Sequence, residues 1–128
     1  NELGPRFPDM SEPYCSDMIA KAEQIASDNN IKVQKGIYVA VPGPTLETPA
    51  EYFYFRRIGG DTVGMSTVPE IVVARHMDIP CFAISVITDL GVPGKIKKVS
   101  HEDVQAVAEL TEPKLTLIIK LLISNIKS

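Results

Sequence analysis

The chain has 128 residues, 45% hydrophobic and 23% charged, and its 13 basic against 16 acidic side chains leave a formal charge of −3. That composition excludes a disordered chain and allows one domain, residues 1–128, to bury a core without metal or disulfide staples. Mild acidity, with Lys95, Lys97 and Lys98 as the one dense basic group, points away from nucleic acid and anionic membrane surfaces.

Cys15 and Cys81 stand far apart and outside any CxxC pair, which argues against a zinc site or a disulfide framework and for the reduced thiols of a cytoplasmic protein. The opening Asn1 to Arg6 carries neither the basic nor the apolar region of a secretory signal. It also lacks an initiator Met, as a processed or partial chain would.

In chain order, Tyr14 to Asp28 predicts a helix, with Tyr14, Met18, Ala22 and Ile25 on one face. The run Gly36 to Val41 predicts a buried strand, bounded by Gly and Pro. Pro49 to Ile58 reads as a second helix stopped at Gly59-Gly60. Asp61 to Met65 reads as a short strand, Val68 to Met77 as a helix, and Pro80 to Ile87 as the strongest strand of the chain. From Ser100 onward the chain is expected to be helical, kinked or restarted at Pro113. Leu115, Ile118, Ile119, Leu122 and Ile126 would form the buried face of that last segment, whose apolar stretch is too short to span a bilayer and contains Lys120. Strand–helix alternation of this kind predicts an α/β fold, a sheet flanked by helices.

Helix starts follow each strand. Thr48-Pro49-Ala50-Glu51 has the signature of a capping box with Pro at the first helical position, Thr67-Val68-Pro69-Glu70 repeats that logic, and Ser100 offers a third capped start. Three helices are therefore expected beyond the carboxyl ends of three strands, the rim where open α/β sheets bind ligands. On that rim Glu47 is either a complement to a helix dipole or a ligand acid. Asp89, after Thr88, is either a turn former or a second acid. Ser66 is left over once Thr67 caps its helix. His76, at a helix end, suits a structural role; His101, at a helix start, is favoured as a neutral imidazole able to recognise a hydroxyl.

The same residues carry a resemblance. Gly4 to Ser11, Gly43-Pro-Thr-Leu-Glu-Thr-Pro-Ala-Glu51, Gly64-Met-Ser-Thr-Val-Pro-Glu70, Val73 to His76, Ile84 to Asp89 and Ser100 to Glu102 resemble, in order, the carboxyl-terminal half of the trimeric purine nucleoside phosphorylases. The resemblance covers essentially the whole chain. It implies a partial phosphorylase-type mixed sheet flanked by helices, lacking the family's amino-terminal strands. It also implies reversible phosphorolysis of purine nucleosides or deoxynucleosides to free base and (deoxy)ribose 1-phosphate. Inorganic phosphate would be the co-substrate, with no metal or organic cofactor, in a homotrimeric, cytoplasmic whole protein that contacts neither nucleic acid nor membrane. Position by position, Glu47 matches the acid that accepts hydrogen bonds from the purine N1–H. Asp89 takes the place facing N7 and the 6-substituent, and His101 that of the histidine bonding the ribose 5′-hydroxyl. Tyr38, Leu46, Val63, Gly64 and Thr88 would line base and sugar, Met65 would pack on the ribose, and Ser66 would contact phosphate.

Two departures qualify it. Many members have Asn where this chain has Asp89. Asn donates from its NH₂, whereas an ionised Asp only accepts, so a 6-oxopurine requires Asp89 protonated, by burial near Glu47, while a 6-aminopurine donates to it directly. The family's amino-terminal half, with its Gly-rich phosphate loop, is also not represented, so the chain alone is expected to be inactive or nearly so, with an exposed flank on its sheet. Alternatives are a 5′-methylthioadenosine phosphorylase, a noncatalytic purine-binding remnant and, weakest because no G-x-G-x-x-G or P-loop is present, a generic nucleotide-binding module.

Overall fold

The β-branched run around Tyr38 and the Thr62-Val63-Gly64 segment form strands because each is short, apolar and bounded by turn residues. In the computed structural model, which describes residues 2–126, the elements run α1 (Ser16–Asp28), β1 (Tyr38–Ala40), α2 (Pro49–Arg57), β2 (Thr62–Gly64), α3 (Val68–His76) and α4 (His101–Asn125). Strands β1 and β2 pair in parallel, with Tyr38 opposite Thr62, Val39 opposite Val63 and Ala40 opposite Gly64. Parallel neighbours require a crossover, and α2 provides it.

Polar groups at both ends hold this β1–α2–β2 unit in register. At the amino ends, the Asp61 carboxylate accepts from the Ile37 amide at 2.9 Å and from Arg56, while the Asp61 amide donates to the Ile37 carbonyl at 2.9 Å. At the head of α2 the expected capping box is complete. The Glu51 amide donates to the Thr48 hydroxyl oxygen at 3.3 Å, and the Thr48 amide donates to the Glu51 carboxylate at 2.7 Å. Ser100 caps α4 the same way, with Asp103 in place of Glu: the Asp103 amide donates to Ser100 Oγ at 3.2 Å and the Ser100 amide to Asp103 at 3.0 Å.

The chain divides into two compact units. One, Gln34–Met65 with Ser85–Pro113, contains the sheet, α2 and the first half of α4. The other, Asn1–Val33, Ser66–Ile84 and Lys114–Ser128, contains α1, α3 and the second half of α4. Its core is Ala22 and Ala26 of α1 against Ile118 and Leu122 of α4, with Ile25, Ile31, Phe82 and Ile84 packed around them. The two alanines let the helices approach closely, and Ile118, at 2% exposure, fills the gap.

Three expectations are corrected. Residues 80–87 form no strand, although burial alternates from Phe82 to Thr88 as it would in one. A strand exists by its ladder, and among the described residues the sheet has only β1 and β2. Among the described residues only two strands precede helices, and of those helices only α2 is capped by a side chain. Thr67 does not cap α3 through its side chain; it sits at φ 76° and ψ −59°, at the centre of a turn closed by the Val68 amide donating to the Ser66 carbonyl at 2.9 Å. At Pro113, where a kink or a restart was expected, α4 runs on without a restart, the pyrrolidine removing the N–H owed to the Glu109 carbonyl. Ile126, one residue past α4, is 40% exposed and outside the buried face. Large apolar side chains such as Phe53, Tyr54 and Ile58 are exposed on and just after α2, which buries none of its residues. Among the described residues no helix is long and apolar enough to cross a membrane.

The α1–α4 core gives a direct check: Ile118→Ala opens a cavity between the two helices and is expected to cost about 2–4 kcal/mol in urea unfolding. A loss below about 0.5 kcal/mol, the size of an ordinary surface change, would contradict this packing.

Candidate functional site

A helix begun by a Thr cap and a Pro at its first position aims its early side chains back over the loop that leads into it. Tyr52 lies in the first turn of α2, its amide donating to the Thr48 carbonyl at 3.1 Å, so its ring reaches back towards Glu47. The Tyr52 hydroxyl stands within hydrogen-bonding reach of both Glu47 and Asp89. Two acids from separate segments thus converge on one phenol. Partial burial, then the hydrogen bond to Glu47 and the Glu47 charge, then Asp89, push the Tyr52 phenol up to about 12.

The neighbours of this group are equally specific. The Thr88 hydroxyl donates to Asp89 Oδ1 at 3.0 Å, which orients that carboxylate. The Tyr52 ring lies against the backbone of Gly91, where a methyl group would overlap the ring carbons. Gly91 has no special backbone conformation to excuse a glycine; the requirement is space alone.

The carboxyl ends of the strands supply the rest. Tyr38 of β1 extends across to Gly64 of β2, its hydroxyl occupying the space a side chain on Gly64 would need. Met65 folds its thioether onto Gly43, which has φ 61° and is joined to Pro44 by a cis peptide bond. Val63 is half-buried on β2. Beyond Met65 the turn at Thr67 places a β-branched residue in the left-handed region, a strained γ-turn geometry. The Ser66 and Thr67 hydroxyls lie 3.4 Å apart there.

The structure therefore brings together Glu47 and Asp89, with Thr88 bonded to the latter, and it pairs Tyr38 with Gly64. Leu46 is 56% exposed and Met65 54% exposed. His101 is the exposed first residue of α4, and no hydrogen bond or ion pair among the described residues joins it to the two acids. Asp89 is itself exposed, so the burial invoked for its protonation is not found. Sequence reasoning missed Tyr52 and Gly91. The signal for Tyr52 was its place in the first turn after the Thr48 cap; Gly91 had none, because its partner lies far away in sequence.

The sign of the Tyr52 perturbation fixes a pH window. Its folded value is above the unfolded one, about 10, so its stabilisation is complete below about pH 10 and is lost as pH rises through about 12. Urea midpoints of the native chain are expected to fall across that window, and those of Tyr52→Phe to fall less. The tyrosinate absorbance removed by this substitution should lie at the upper end of the window. A Tyr52→Phe profile superimposable on the native one would contradict the bridged geometry.

Comparison with known proteins bears on what such a site belongs to. Residues 1–124 match the family described as the phosphorylase superfamily. Purine nucleoside phosphorylase 1 of Bacillus subtilis is 42% identical over 124 residues, 97% of this chain and 46% of that protein. The solved structure of isoform 2 of Schistosoma mansoni purine nucleoside phosphorylase, in complex with cytosine and ribose-1-phosphate, is similar with a TM-score of 0.93 at 37% identity, covering 98% of this chain and 46% of that one. Schistosoma mansoni purine nucleoside phosphorylase in complex with adenosine gives a TM-score of 0.91 at 35% identity, covering 99% and 47%. The chain thus spans a little under half the length of the relatives it matches. A family match over residues 1–124 of 128 means that this chain belongs to the phosphorylase superfamily.

Proposed function

We propose that this chain is the base- and ribose-recognising portion of a purine nucleoside phosphorylase, one part of a single phosphorylase domain. The observation that carries the proposal is the meeting of Glu47 and Asp89 at one hydroxyl, two hydrogen-bond acceptors available to one ligand. A 6-oxopurine offers N1–H to Glu47, and a 6-aminopurine offers its amino group to Asp89. In the reaction a phosphate oxygen bonds to C1′ while the C1′–N9 bond breaks, its electron pair passing to the purine, which leaves as the free base after taking up a proton. The residues assigned here act by positioning base and sugar and by meeting charge on the leaving group. Glu47 holds N1–H, Asp89 and Thr88 face the opposite edge, and Tyr38, Leu46, Val63 and Gly64 line base and sugar. Met65 packs on the ribose, His101 bonds its 5′-hydroxyl, and Ser66 touches phosphate. Phosphate is the co-substrate, with no metal or organic cofactor. The same reading places the whole protein in the cytoplasm as a homotrimer.

The relatives are about twice as long as this chain, so the remaining phosphate contacts and the strand partner for residues 80–87 are assigned to the other half. Isolated, the 128-residue chain is expected to bind hypoxanthine in a calorimetric titration yet to release almost none from inosine and phosphate. Robust turnover would overturn the division of labour, and absence of any purine binding would overturn the site. Because the Schistosoma mansoni protein was solved with adenosine and Asp89 can accept from an amino group, adenine is expected to bind as well. Asp89→Asn should shift preference towards hypoxanthine by about tenfold, the worth of one added donor. An unchanged hypoxanthine-to-adenine ratio would refute that role for Asp89.

A further inference from the structure

Hydrogen-bond donors are scarce in this site. Glu47 and Asp89, when ionised, accept only, and the Thr88 hydroxyl is committed to Asp89 Oδ1 at 3.0 Å. The edge of a 6-oxopurine, however, presents an oxygen that needs a donor, the one that an Asn amide would supply. Between the two acids stands a single neutral O–H, that of Tyr52. Building on the purine-site reading, we propose that Tyr52 determines base specificity: its hydroxyl donates to the 6-oxygen of a bound 6-oxopurine, filling the role that an ionised Asp89 cannot.

Three observations support this assignment. The hydroxyl lies within reach of both carboxylates, so a base held by them lies beside it. Its phenol keeps its proton well beyond neutral pH, because partial burial, then the hydrogen bond to Glu47 and the neighbouring carboxylate charges, disfavour ionisation. Its ring is seated on the bare backbone of Gly91, which fixes the direction in which the hydroxyl points. With no base bound, the one proton of the phenol goes to a carboxylate; a 6-oxopurine takes that proton over, while Glu47 turns to N1–H. Adenine carries an amino group at the same position and donates directly to Asp89, so it has no use for Tyr52.

The test is calorimetric titration of the 128-residue chain with hypoxanthine and with adenine. Tyr52→Phe keeps the ring on Gly91 and removes the donor. It is expected to weaken hypoxanthine binding about tenfold and to leave adenine within about twofold. Gly91→Ala, which keeps the hydroxyl but pushes the ring away, should show the same selective loss. In Tyr52→Phe/Asp89→Asn the amide supplies the missing donor, and hypoxanthine binding should recover. Equal loss of both bases, or no loss, or no recovery in the double variant, would overturn the assignment while leaving the purine site standing, provided the native chain binds purines. If the native chain binds neither base, the site reading falls and this inference with it.

Discussion

One hydroxyl shared by two carboxylates is the constraint around which the sheet-containing unit is arranged. Two carboxylates from separate segments meet there, Glu47 half-buried and Asp89 exposed. The neutral phenol of Tyr52 stands within hydrogen-bonding reach of both. Local devices then hold each member in place. The Thr48–Glu51 capping box fixes the start of α2 and with it Tyr52, Thr88 holds Asp89, and the missing side chain of Gly91 leaves room for the ring.

The same unit shows how a short sheet can carry a site. With only three residues per strand, β1 and β2 have little ladder to stabilise them. Asp61 adds a polar clamp at their amino ends, where the Ile37 amide and then the Arg56 guanidinium hold its carboxyl below the usual carboxylate range. At their carboxyl ends, glycines allow close approach: Gly64 under Tyr38 and Gly43 under Met65. Rigidity at one end and close backbone packing at the other leave the loops after the strands free to present side chains. The exposed apolar residues Phe53, Tyr54 and Ile58 mark a surface that the chain's described residues do not cover.

Much of this was legible in advance where the signal is local. Helix starts at Thr48 and Ser100 follow from hydrogen bonds between residues three apart, and both caps are present. The apolar periodicity of α1 and α4 selected Ala22, Ile118 and Leu122, all buried. Thr67 carried the same cap signature, but the strained turn there swings its side chain away from the helix amides, and no local rule announces that strain. The segment Pro80 to Ile87 had every compositional mark of a strand and no ladder to join, since pairing depends on a neighbour and not on the segment itself.

Sequence alone therefore located the helices and the βαβ connectivity and named the acids at 47 and 89 as candidates, because propensity, capping and motif are written within a few residues of one another. Only the tertiary structure decided that those acids share Tyr52 and that Gly91 makes room for its ring. Those relations join residues distant along the chain, and they arise from the direction in which α2 sends its first turn and from the space the backbone leaves at Gly91.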